Sequence, residues 1–135
     1  MSARAWALQK AVYAALAADA GVKAELGDPP RIHDEPPRNA VFPYAVLGEG
    51  RVAPLPGHDG AFVHEIRILI VSRHGGRREV KRALDALVGA LHEADFPVED
   101  GRLVSIAFSG ADIPRRRGGE PFEGAARFRA VTEAA

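Results

Sequence analysis

The chain contains no cysteine. That alone excludes disulfides, thiolate metal ligands and cysteine nucleophiles. It also lacks a net charge: 18 basic residues balance 18 acidic ones. A disordered acidic tail or a dedicated nucleic-acid binder would show an imbalance. No apolar run approaches the ~20 residues that a membrane helix needs. The start, MSARAWALQK, has no apolar core of a secretory signal. The expectation is a soluble protein made in the cytoplasm, with no membrane partner. Lysine is scarce too, with three against fifteen arginines. Arginine suits bidentate and interface contacts, but a GC-rich genome gives the same bias through its codons.

The local signatures of chemistry are missing as well. There is no Gly-x-Gly-x-x-Gly, no Gly-x-x-x-x-Gly-Lys-Ser/Thr and no Gly-x-Ser-x-Gly. No two histidines stand four apart on a helix-forming stretch. Ser72 and Ser105 fall in strand-forming segments and Ser109 just after one, none with a histidine and acid in a pattern that suggests a triad. His33, Asp34 and Glu35 are consecutive, and alternation along a strand sends neighbours to opposite faces, away from a shared metal. No cofactor or catalytic residue is expected.

What the chain does contain is a well-patterned frame for a single domain over residues 1–135. A chain of this length buries roughly two-thirds of its unfolded surface and needs no staple. Residues 3–19 predict a helix with Leu8, Val12 and Leu16 on one stripe, widened toward the core by Trp6 and Tyr13, and Gly21 as its stop. Two Pro-Pro pairs then flank a short edge strand around Ile32. Residues 43–49 predict a second strand, with Tyr44 and Val46 on one face and Ala45 and Leu47 on the other.

Residues 62–73 predict the best strand. Phe62, His64, Ile66, Ile68 and Ile70 form its core face, with His64 a satisfied, partly buried histidine. Leu69 and Val71 make its other face apolar at one end, so that end should be covered on both sides. Gly75-Gly76 turns the chain into a helix over 77–94, striped by Val80, Leu84, Leu87, Val88 and Leu91. Residues 102–108 alternate with Val104, Ile106 and Phe108 on one side. Residues 122–132 alternate with Phe122, Gly124, Ala126, Phe128 and Ala130 opposite Arg127 and Arg129. The fold class is α+β: two helices packed on a mostly antiparallel sheet, in the order α-β-β-β-α-β-β.

Three irregular features fit none of this frame. Residues 51–60 (RVAPLPGHDG) carry two prolines and two glycines and predict a long loop. Within it Arg51, Val52, Leu55 and His58 are candidate contacts; Leu55 either tucks onto its own domain or meets a partner. Arg77, Arg78 and Arg82 crowd the start of the second helix, against the preference of its dipole. They are either a solvated face or cations that meet acids on another chain. Arg115, Arg116 and Arg117 tip a basic, glycine-rich loop, read as a solvated tip, a contact or a phosphate site.

Several separated segments together resemble one family. They are FPYAVLGE, HEIRILIVSRHGG, ALHEADF, RLVSIAFSGADIPRR and GAARFRAVTE. In this order they are similar to the tail-completion, or tail-terminator, proteins of long-tailed bacteriophages, prophages and gene transfer agents. The resemblance implies an α+β subunit of a hexameric ring. Such a ring caps the tail tube, stops its polymerisation and joins the tail to the head connector. The implied partners are copies of itself, the tail tube protein and the connector's stopper protein, with DNA only passing through. The implied location is the bacterial cytoplasm during assembly and then the head-proximal end of the tail in the particle. Three alternatives remain: another head–tail joining protein, a nucleic-acid module using Arg115 to Arg117, and a small α+β enzyme using His33 or His64.

Overall fold

A computed structural model describes residues 2–135, with side chains from Arg4 onward. Nine elements follow in order: α1 (Ser2–Ala18), α2 (Ala20–Leu26), β1 (Ile32–His33), β2 (Tyr44–Pro54), β3 (Ala61–Ser72), α3 (Gly76–Leu91), β4 (Pro97–Val98), β5 (Gly101–Asp112) and β6 (Phe122–Ala134). The six strands form one sheet in the order β1-β2-β3-β6-β5-β4. Only β1 runs parallel to its neighbour. The expected class holds, with α2 and β4 added to the expected order.

The centre of the sheet is the β3·β6 pair, whose antiparallel register is unbroken from Ala61↔Glu133 to Ser72↔Phe122. Strand alternation puts Ile68, Ile70, Ala126, Phe128 and Ala130 on one face, all buried. Helix α3 covers that face with Val80, Ala83, Leu84, Leu87 and Leu91. Gly124 lets it approach closely, since a Cβ there would lie 2.5 Å from a Val80 methyl. The other face carries Glu65, Arg67, Arg127 and Arg129 and is exposed. Val71 on this face is nevertheless buried. Its flanking cross-strand partners are Tyr44 and Glu123.

Four sequence expectations give way here. The expected first helix is α1, but Gly21 does not stop the chain there, because Asp19 starts a second, unexpected helix. The Asp19 backbone is extended and its carboxylate accepts from the Val22 amide at 3.0 Å. Gly21 therefore lies inside α2, and Gly27, at φ 94°, closes it. Trp6 and Tyr13 do not join the core: they are 53% and 40% exposed, while Leu8, Val12 and Leu16 are buried. The supposed loop over 51–60 is strand as far as Pro54, since β2 pairs with β3 down to Pro54↔Phe62. Finally, Val104 is 45% exposed and Leu103 is buried in its place. A register shift between Leu103 and Ser105 flips the alternation there.

Candidate functional site

Among the described residues, no cluster of three His, Asp or Glu side chains could hold a metal. The histidines have other neighbours. His64 is 3% exposed, and its Nε2 lies 2.8 Å from the Thr132 hydroxyl. Burial, and then the charge of Arg4, lower its pKa below the usual histidine value. His33 sits edge-on to Tyr44 at 5.7 Å, with a buried Nε2 that has no hydrogen-bond partner. Asp34 accepts from Gln9 at 2.8 Å. No described helix is long and apolar enough to cross a membrane.

The irregular segments lie at opposite ends of the sheet. The β2–β3 turn, residues 55–60, closes one end. Its backbone is tight: Leu55 N–H donates to the Ala61 carbonyl at 2.9 Å and His58 N–H to the Leu55 carbonyl at 3.2 Å. Leu55 is half-buried and His58 exposed. Arg51 and Val52 are not on this turn. Arg51 stands on β2, on the exposed face, 4.0 Å from Glu65 of its own chain. Val52 faces the helices and lines a recess of about 120 Å³ with Leu8 and His64.

The other end holds the β5–β6 loop and the start of α3, and there two separate sequence candidates converge. Arg77 and Arg116 both stack on the Phe122 ring, at 5.6 and 4.4 Å. The Arg116 Nε also donates to the Glu120 carbonyl. Arg73 stacks on Phe42 at 5.3 Å and donates to the Gly119 carbonyl at 3.0 Å, tying this loop to the β3–α3 turn. Arg78, Arg115 and Arg117 are exposed around them. Stacking orders a guanidinium while leaving its N–H edge free for an anion. Sequence reasoning missed Arg73 as a contact; its only signal was its place between the long strand and the Gly-Gly turn.

Arg82 does not belong to this group. It reaches Glu25 of α2 at 3.1 Å, an acid within its own chain. Glu79 shares the end but its carboxylate accepts from the Ser72 hydroxyl at 2.6 Å. Tyr44 lies at the same end of the exposed face. Burial, and then Glu123, raise its pKa above the usual tyrosine value. The site is thus an arginine-rich sheet end backed by Phe42 and Phe122. Nothing in it resembles the paired acids and bases of a catalytic centre.

The model of the family described as tail completion protein gp17 matches residues 10–133. Among curated proteins, none matches. A chain in the solved virion of a native gene transfer agent (GTA) particle is 32% identical over 99% of this chain and 100% of its own, with a TM-score of 0.87. The family match covers nearly all described elements, and the virion subunit shares the same frame. This chain belongs to the tail completion protein gp17 family, and its role is structural, in the assembly of phage-type tails.

Proposed function

We propose that this chain is a ring-forming tail terminator. It caps the tail tube, stops its polymerisation and joins the tail to the head connector in a phage, prophage or gene transfer agent particle. The observation that carries the proposal is the similarity, along 99% of the chain, to a subunit of an assembled gene transfer agent virion. The geometry supports it: the frame holds two irregular ends apart, and its candidate contacts sit on those ends. Leu55 and His58 mark one end; Arg77, Arg78, Arg115, Arg116 and Arg117 mark the other. The partners are other copies in a hexameric ring, the tail tube protein and the connector's stopper protein. DNA only passes through, and the protein acts by contact with no cofactor.

The test is assembly without the protein and with altered ends. Particles lacking it should carry tails of uncontrolled length, unjoined to heads, and the purified chain should restore joining. Imaging should place it as one ring at the head-proximal end of the tail. Density on the connector side of the joint assigns it instead to another joining protein. Replacing Leu55 and His58 by alanine should leave the fold intact and reduce joining. Normally sealed and joined tails with those replacements would remove this turn from the contact surface.

A further inference from the structure

Ion pairing is uneven over this molecule. Arg51, Arg67, Arg82, Arg102 and Arg127 each meet an acid of their own chain. Arg73, Arg77, Arg78, Arg115, Arg116 and Arg117 enter none of the described ion pairs. All of them lie at the Ser72 end of the sheet; of the acids there, Glu25 and Asp112 are taken by Arg82 and Arg127, which leaves Glu79, Glu120 and Glu123 against these six arginines.

The opposite end holds the unpaired acids; its cations are Arg4, over the Phe62 ring, and Lys10 and Arg102, which meet Glu99 and Glu133. Asp59 lies in the β2–β3 turn, Glu93 and Asp95 follow α3, and Glu99 and Asp100 form the β4–β5 turn. Glu99 meets Lys10 at 3.2 Å, and Glu93 meets only His92, at 3.7 Å. Asp59, Asp95 and Asp100 enter no described ion pair. Helix α3 runs from the basic end to the acidic end, so its dipole adds to the separation. The arginines at its start, unfavourable for the helix alone, thus strengthen a charge gradient along the whole domain.

The two ends cannot neutralise each other within one chain. Twelve residues of β3 separate them, about 40 Å at ~3.3 Å per residue. Charges are screened over about 8 Å at physiological salt. Only a second molecule can bring the opposite ends together. The geometry points to a second copy of this chain as the occupant of the arginine-rich end, seated on it by its acidic end. Such a head-to-tail contact uses two different surfaces, so repetition gives a ring when the rotation closes. Strands would then run around the ring's circumference. A nucleic acid would complement the basic end alone and leave the acidic end without a counterpart. The inference rests on the ring reading above and adds which surfaces meet.

The test uses the purified full chain, with sedimentation and native mass spectrometry at low and high salt. Arg77→Glu with Arg116→Glu makes both ends acidic. Asp59→Lys with Asp95→Lys makes both ends basic. Each pair should keep the far-ultraviolet circular dichroism of the parent and weaken self-association roughly 10-fold or more. Mixing the two should restore association, because each then offers what the other lacks. High salt should weaken the parent oligomer as well. A parent that stays monomeric at every salt concentration overturns the inference, while the tail-joining assay judges the terminator reading separately. Variants that form the parent's oligomer unaided keep the ring and refute this interface. Unchanged self-association with loss of salt-dependent duplex DNA binding assigns the arginine end to nucleic acid.

Discussion

Gly124 sits in β6 beneath α3, and its replacement by alanine probes a close helix–sheet contact. The new Cβ would stand 2.5 Å from Val80 Cγ1, 3.1 Å from Leu84 Cδ1 and 3.4 Å from Ile113 Cγ1. Carbon atoms prefer about 3.5–4.0 Å, so α3 must lift from β6 or Val80 must leave its rotamer. Val80 has no exposed surface, which leaves little room for it to yield. Overpacking of this kind costs about 1–3 kcal/mol. A Gly→Ala change recovers ~0.4–1 kcal/mol through the unfolded chain. The expected net loss is about 1–2 kcal/mol, or roughly 3–8 °C in Tm for a domain of this size. Val80→Ala alone should cost about 2 kcal/mol by leaving a cavity. The two changes meet in space, so together they should cost ~1 kcal/mol less than their sum. Urea and thermal unfolding of the four proteins measure this. Additive losses, or an alanine variant as stable as the parent, would refute the packing argument.

Two further predictions concern other parts of the molecule. His64 has its folded pKa held below the unfolded value of 6.5, so the unfolded chain takes up the proton first. Stability should be full above about pH 6.5 and fall as pH drops from there toward the folded pKa; His64→Gln should remove that part of the slope, and an unchanged slope would assign it to other groups. In β5, Val104→Asp should change stability by no more than ~0.5 kcal/mol, whereas Leu103→Ala should cost about 2–5 kcal/mol. The reverse order in urea unfolding would mean that the register shift is misplaced.

Where side-chain period alone decides placement, the sequence was readable. The alternation of Ile66, Ile68 and Ile70, the stripe from Val80 to Leu91, and Arg127 and Arg129 opposite Phe128 all needed only a regular strand or helix. The failures came where local chemistry interrupts a period. Asp19 caps a new helix, a signal present in the residue type but masked by the alanines around it. The extra residue at Val104 shifts the register, and nothing in an alternating run marks such a shift. Pro54 ends β2 where its missing amide costs little, so a proline-rich stretch extends a hairpin that it was expected to break. Trp6 and Tyr13 carry aromatic rings that sequence reasoning assigns to a core, yet Leu8, Val12 and Leu16 take the buried stripe and the two rings line an open recess with Ile32, His33 and Leu47. Of the contact residues, the two arginine groups were visible separately. Their convergence on Phe122 depends on β6 returning beside β3, a long-range pairing with no local sign.

The distribution of register shifts has a consequence for how this sheet meets a neighbouring chain. They occur in β2 and β5 and spare the central β3·β6 pair. Outside them lie only the two-residue strands β1 and β4, the second beginning at Pro97. Bent, short and proline-bearing margins give a neighbouring backbone no straight ladder to extend. The rigid middle keeps the shape, while the margins resist zipping into a continuous sheet. Any neighbouring chain must therefore be recognised by side chains, and one that is misplaced leaves without having to unpair a strand.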